Sequence, residues 1–388
     1  MSIESASSGR RARYATQRNV LAAATLLALV STSLLGCAND DGSGGGRSIL
    51  VFAPETNRLN AYDALNGFAK QTVIASHSDD PQNGLDINGA ICFTRDGERR
   101  FLAGEDTGQP VSTPGWGFFQ LEGNGIGNLS ASEIGKLVPT YQSSVSNREP
   151  YGCGFLSDGR ALTTDVGNQA DGPPTGQLIL WFPPFEGPFG TPTYCKLDIA
   201  VGTAGGIWVD EDDRIYVASA RGDGFGIRRY SPPFPTSNDA AGGCGQTDGT
   251  GAPMADQVNK EVFIPGGGNL AAPSGIVQSA QGTFYVSSVI NGVIIEYDAD
   301  GNLLRRILRP AAGQQPPFMT GTPFGLGIDS NGTLYYADLG IVVDFPDIGP
   351  APDRGTVRYI GFEDDEPLEP VTIDSGLDFP DGLGVLED

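Results

Sequence analysis

The side chains able to do chemistry in this chain carry oxygen rather than imidazole. There is one histidine, His77, in 388 residues, set at the edge of an outer strand. A Ser-His-Asp triad therefore lacks its base, and a His-Glu-x-x-His zinc site or any multi-histidine centre is excluded. The glycine-dense run 222–226 opens no helix, so it does not read as a dinucleotide fingerprint. Beyond Cys37 stand Cys92, Cys153, Cys195 and Cys244, none in Cys-x-x-Cys spacing. An even number permits two disulfides in an oxidising compartment, with three pairings open. What remains is a set of acids and amides: Asn88, Asp381, Glu55, Glu105, Asp106, Asp165, Asn168, Asp223, Asn291 and Asp338. Brought face to face, such oxygens repel unless solvated or bridged by a cation. Ca²⁺, which accepts roughly six to eight oxygens in loose geometry, suits them among divalent cations. The competing reading is a hydrophilic rim around a water-filled channel.

Those residues meet only if the elements that carry them form a ring. Five stretches share one pattern, beginning Asn88-Gly89-Ala90-Ile91, Tyr151-Gly152-Cys153-Gly154, Gly205-Gly206-Ile207-Trp208, Ser274-Gly275-Ile276-Val277 and Phe324-Gly325-Leu326-Gly327. Each continues through a polar turn (Asp96-Gly97, Asp158-Gly159, Asp212-Asp213, Gln281-Gly282, Asn331-Gly332) into a second apolar strand, which reads as a β-hairpin. A third strand of small, aliphatic and aromatic residues and a less regular fourth complete each unit. Four-stranded units at this spacing predict the blades of an all-β propeller. The sixth unit is split. Residues 379–386 supply a first strand, and 49–53, 58–62 and 71–75 supply the other three. Joining the chain ends gives six blades and leaves no open sheet edge. The alternative is seven blades, with a degenerate unit hidden in 232–258. In this ring the start of each first strand and the exit of each second strand surround one channel mouth, where the candidate oxygens would gather.

The phrases Pro273-Ser274-Gly275-Ile276, Thr283-Phe284-Tyr285-Val286 and Ile295-Glu296-Tyr297-Asp298 resemble NHL repeats. Ile87-Asn88-Gly89-Ala90 through Phe101, with Pro380-Asp381-Gly382-Leu383, resembles the gluconolactonase and senescence-marker superfamily of six-bladed propellers, which includes strictosidine-synthase-like proteins. The resemblance implies a channel-mouth cation that polarises a lactone carbonyl and lowers the pKa of water. It places Asn88 and Asp381 among the metal ligands, and the mouth geometry adds Asp165, Asp338 and Glu105. The family also contains pure binding scaffolds, and fold does not decide between these. A binding or scaffold protein for a small-molecule or protein ligand is the first expectation. A divalent-cation-dependent lactone or ester hydrolase is the second.

The N-terminal residues predict export. Arg10, Arg11, Arg13 and Arg18 precede an apolar stretch, 19–35, that stops at Leu34-Leu35-Gly36-Cys37. This is a secretory signal, too short for comfortable spanning of a bilayer, and its cysteine resembles the lipidated residue of a lipobox. Residues 1–36 are thus expected to be removed. Cys37 would carry lipid, the Gly/Ser-rich stretch 37–47 would be a flexible tether, and the propeller would occupy 48–388. The expected location is the periplasmic face or the cell surface. Loss of four arginines and Glu4 leaves 20 basic and 46 acidic residues, a balance that argues against nucleic acid. Asp298-Ala299-Asp300-Gly301 reads as a hairpin turn, and 363–366 as a solvated acidic loop. The Pro/aromatic tracts 181–189, 230–234 and 315–318 present two options, an exposed contact surface or a fold back over the blade edge.

Overall fold

In the strand Ile49–Glu55 every residue is buried, and its side chains alternate between two interfaces. Leu50 and Phe52 enter one apolar cluster with Phe101 and Phe119, whereas Val51 and Ala53 enter another with Tyr335 and Val357. A strand buried on both faces reads as a continuous apolar run, and this is how each blade of a ring packs on two neighbours. The computed structural model describes residues 48–105, 115–139, 150–166, 176–187, 192–222, 225–309, 321–344 and 347–388. Cys37 and the whole of 1–47 lie outside them.

The described residues form a six-bladed β-propeller. Blade 1 comprises Ile87–Phe93, Arg100–Glu105, Gly115–Glu122 and Ser130–Leu137. Blade 2 has Pro150–Phe155, Ala161–Asp165, Gly176–Phe182 and Thr193–Gly202, and blade 3 has Ala204–Val209, Ile215–Ser219, Gly226–Ser231 and Asn259–Pro265. Blade 4 has Pro273–Gln278, Phe284–Ser288, Val293–Tyr297 and Leu303–Leu308, and blade 5 has Pro323–Ile328, Leu334–Asp338, Gly355–Ile360 and Val371–Leu377. Blade 6 joins Gly384–Glu387 to Ile49–Glu55, Arg58–Asp63 and Ala69–Ile74. The chain ends pair antiparallel, with Ile49 opposite Glu387 and Phe52 opposite Gly384, which is the predicted closure. Its first strand is shorter than 379–386, because Phe379 to Leu383 turn over the mouth instead of joining the ladder. A separate buried apolar cluster fills each of the six blade interfaces.

One irregularity recurs. Each of the five continuous blades breaks register in its first strand, between Asn88 and Ile91, Pro150 and Cys153, Ala204 and Ile207, Pro273 and Ile276, and Pro323 and Leu326. The two residues inside each bulge are the repeated motif. Bulges of this kind re-aim side chains, and here they bring neighbouring blades into backbone contact. A Cβ added at Gly152, Gly206 or Gly275 would come within 3.0 Å of the carbonyl oxygen of Gly205, Ser274 or Phe324 in the next blade. The same clash would arise at Gly325 against Gly382, at Gly382 against Gly89 and at Gly89 against Tyr151. The motif glycines thus mark a closed ring of close approaches, which only a residue without a Cβ permits.

The tract 232–258 is not a seventh blade. Gln246–Thr247 and Pro253–Met254 extend blade 2, giving the strand order Gln246–Thr247, Pro253–Met254, Thr193–Gly202, Gly176–Phe182, Ala161–Asp165, Pro150–Phe155. The tract is held by the Cys195–Cys244 disulfide and by an ion pair between Asp248 and the fully buried Lys196. Burial pushes the Asp248 carboxyl up, but hydrogen bonds from Lys196 and Thr250 outweigh it and hold the group at about 2. A buried pair of this kind leaves an uncompensated charge if either member is lost. The other disulfide, Cys92–Cys153, joins the inner strands of blades 1 and 2. Phe185 and Phe234, from two of the Pro/aromatic tracts, are buried in blade interfaces, so those tracts fold back. Residues 315–318 lie outside the described residues. Asp298 accepts hydrogen bonds from the backbone of Asp300 and Asn302, which makes its segment the predicted hairpin turn.

Candidate functional site

The residue that precedes each motif glycine stands at the channel mouth. These residues are Asn88, Tyr151, Gly205, Ser274 and Phe324, and Asp381 holds the matching place in blade 6. Tyr151, Gly205, Ser274, Phe324 and Asp381 line a mouth cavity of about 230 Å³. Its walls add Asn88, Thr203, Arg221 and a group of apolar residues that includes Val166, Val289, Ile290 and Phe379. Phe379 and Ile290 are 43% and 46% exposed, so the rim is apolar and open.

Tyr151 lies across the mouth. Its hydroxyl donates to the Asp381 carbonyl at 3.0 Å and sits 3.2 Å from Ser274 Oγ, while its ring meets Phe324 edge-on with centroids 4.9 Å apart. One side chain of blade 2 therefore touches blades 4, 5 and 6. Burial, and then the charge of Asp381, push its phenol well above the ordinary tyrosine range, so it remains a neutral donor. Below it runs a second cavity of about 270 Å³, walled largely by apolar inner-strand residues such as Ala90, Ile207, Ile276 and Val385. At the far end Arg95 of blade 1 donates to the carbonyls of Val209 and Asp210 in blade 3.

The candidate metal ligands separate on inspection of their partners. Asp381, 3% exposed, accepts the Gly89 backbone N–H with both carboxylate oxygens at 3.1 Å. It closes the ring between blades 6 and 1. Asn88 lines the same cavity. Glu105, Asp165, Asp338 and Glu55 share another position, the last residue of a second strand, which Ser219 and Ser288 occupy in blades 3 and 4. Residues there turn toward nearby loops and strands. Asp338 Oδ1 accepts the Thr322 N–H at 2.9 Å and its hydroxyl at 2.8 Å, and Ser288 Oγ accepts the Ala271 N–H at 2.8 Å. Glu55 accepts from Asn60 and Thr56. Glu105 is fully buried against Lys136. Burial pushes the Lys196 ammonium down, and the charges of Asp248 and Asp165 beside it only partly oppose that. Asn291 donates to the carbonyls of Gly268 and Asn269. Asp106, Asn168 and Asp223 lie outside the described residues. His77 follows the outer strand Ala69–Ile74, away from the mouth lining.

Of the five metal candidates, then, only Asn88 and Asp381 line the mouth cavity. Among the described residues no group of three or more His, Cys, Asp or Glu side chains is placed to hold a metal ion. This donor set does not fit a calcium ion held by the protein, since the two described side chains at the mouth, Asn88 and Asp381, fall well short of the roughly six to eight oxygens that calcium takes.

Sequence reasoning did not single out Tyr151, Thr203 or Arg221. The signal for Tyr151 was present, because it holds a motif position that is glycine in blade 3 and serine in blade 4. Thr203 and Arg221 stand in connections that carry no repeat, and nothing in the pattern marked them.

No protein-family model matches the chain, and none of the curated proteins does. Solved propellers resemble it in architecture. A periplasmic gluconolactonase of Pseudomonas aeruginosa is 12% identical, covering 88% of this chain and 99% of that one, with a TM-score of 0.48. A gluconolactonase of Xanthomonas campestris is 16% identical over 72% of this chain and 75% of that one, with a TM-score of 0.43. A calcium-binding protein, regucalcin, of Agrobacterium tumefaciens is 15% identical over 75% and 77%, with a TM-score of 0.44. At these identities the likeness is one of fold, and chemistry has to come from the residues of this chain.

Proposed function

We propose that this protein is a binding propeller, exported and held to a membrane by lipid on Cys37, that takes a small organic ligand in its channel mouth. One observation carries the reading. The mouth is an open, mostly apolar cavity of about 230 Å³, and the one acid in its described lining, Asp381, accepts the Gly89 backbone N–H. A concave apolar site with a few polar groups is the form that small-molecule sites take. Nothing in the described donor set favours lactone hydrolysis.

The test is a thermal-shift screen of small carboxylates, amides, amines and sugars against the full chain and against Ala220→Trp, which fills the mouth. At least one compound class should stabilise the wild type and leave the filled variant unmoved. Turnover of a lactone or aryl ester that Asp381→Asn abolishes would overturn the binding reading in favour of the hydrolase. The anchor has its own check. Cys37→Ser should leave an uncleaved precursor without lipid, and a chain starting at Ser48 should remain in the aqueous phase. Membrane attachment of that shortened chain after a salt wash would contradict the anchor.

A further inference from the structure

The mouth cavity has one corner unlike the rest. Thr203 and Arg221 both line it, on the two connections that flank the first hairpin of blade 3. Their backbones are fixed. Ala220 donates its N–H to the Thr203 carbonyl at 3.0 Å, and the buried Ser219 hydroxyl lies 3.0 Å from the Arg221 carbonyl. The Thr203 hydroxyl is enclosed, yet it has no hydrogen-bond partner among the described residues. An enclosed polar group without a partner costs stability, and in native proteins it calls for an explanation. Arg221 is exposed and carries no ion pair among the described residues, although the chain holds nearly twice as many acids as bases. Asp381, the described acid that lines the cavity, faces the Gly89 N–H with both carboxylate oxygens.

Resting on the reading of the mouth as a ligand site, we infer that its ligand is a small organic carboxylate with an apolar or aromatic body. The carboxylate meets the Arg221 guanidinium, whose planar fork matches two carboxylate oxygens, and the Thr203 hydroxyl, enclosed in the observed rotamer, turns about χ1 to donate to it. The body lies against Phe324, Phe379, Val289 and Ile290, the apolar side of the same cavity. A cation has no unengaged carboxylate to meet among the described lining residues. A sugar would leave that apolar side without a matching surface.

Isothermal titration on the purified full chain, with probes matched in shape, tests this. The probes are 3-phenylpropanoate, 3-phenylpropanamide and 3-phenylpropylammonium, with hexanoate as the non-aromatic acid. The carboxylates should bind at least about tenfold more tightly than the amide, and the ammonium should not bind. Arg221→Gln should remove that preference without lowering the melting temperature, because no described side chain depends on Arg221. Thr203→Val should weaken the carboxylate severalfold, and Thr203→Ser should restore it. Carboxylate binding that is equal in wild type and Arg221→Gln would overturn the inference. Tighter binding of the amide or the ammonium, lost in Ala220→Trp, would overturn the ligand class while leaving the mouth as the site. Failure of all four probes, in a protein that answers none of the classes in the thermal-shift screen, would overturn both.

Discussion

Two kinds of clasp stand at three junctions of the inner ring, between blades 2 and 3, 4 and 5, and 6 and 1, and they solve one problem with different chemistry. In blades 2 and 4 the bulge N–H is accepted by a hydroxyl from the same blade, Gly152 by Thr164 at 2.7 Å and Gly275 by Ser287 at 2.7 Å. Each hydroxyl then donates to the next blade, Thr164 to the Gly205 carbonyl at 2.9 Å and Ser287 to the Phe324 carbonyl at 2.7 Å. Between blades 6 and 1 no such hydroxyl stands. The partner of Ser287 in the strand pattern is Ala337 in blade 5 and Pro54 in blade 6, and Asp381 reaches across the junction to the Gly89 N–H instead. Hydroxyl clasps join blades whose four strands are each drawn from one stretch of chain. The carboxylate clasp ties the C-terminal strand of blade 6 to blade 1, which the chain itself reaches only from the outer strand Ala69–Ile74, and the charge strengthens that bond. A carboxylate at a propeller mouth is therefore not by itself a metal ligand.

Several changes would break or sharpen this contrast. Deleting 384–388 removes the strand that pairs with Ile49 to Phe52 and exposes backbone edges on both sides of the gap. Cooperative thermal unfolding should be lost, and an unchanged melting curve would show that the ring closes without it. Reduction comes next. Cys92–Cys153 and Cys195–Cys244 span 61 and 49 residues, and loop entropy alone assigns each about 4 kcal/mol. Denaturant titration of Cys92→Ala/Cys153→Ala should show a loss of that order.

Smaller losses distinguish the two clasps. Asp381→Ala leaves the Gly89 N–H without its acceptor and should cost about 2–3 kcal/mol in denaturant titrations, whereas Asp381→Asn keeps an acceptor and should cost about 1 kcal/mol. Ser287→Ala should cost about 1–2 kcal/mol by the same measure. Equal effects for Asp381→Asn and Asp381→Ala would mean that the charge, and not the acceptor, matters. Asp300→Asn, in a hairpin turn on the solvent side, should change nothing measurable.

The architecture was legible because its cause is repeated. Motif glycines recur wherever backbones of adjacent blades touch, and apolar runs such as Ile49 to Ala53 recur wherever both faces of a strand are buried. The closing blade followed from counting strands at the two ends. Function was less legible because it lives in the exceptions. Tyr151 occupies a position that is glycine in blade 3 and serine in blade 4, but sequence does not say that a bulge aims it across the axis. Asp165 and Asp338 were correctly placed at second-strand exits, yet nothing in the pattern told that Asp338 turns to Thr322, just before the first strand of its blade. In the tract 232–258 the strands are two residues long, too short to show a period. The buried ion pair and disulfide that fix it join residues far apart in sequence.

The central claim is that Asp381 is a clasp of the ring rather than a ligand of an ion. Its most direct test is thermal unfolding of the wild type and Asp381→Asn, each with excess Ca²⁺ and with chelator. The account predicts that chelator leaves both melting temperatures where Ca²⁺ left them, with the variant lower than the wild type by the same amount in either condition. A native-state ligand at a hundredfold excess over its Kd stabilises by about 2.7 kcal/mol. A wild-type melting temperature that falls on chelation, recovers with Ca²⁺, and does neither in Asp381→Asn would contradict it.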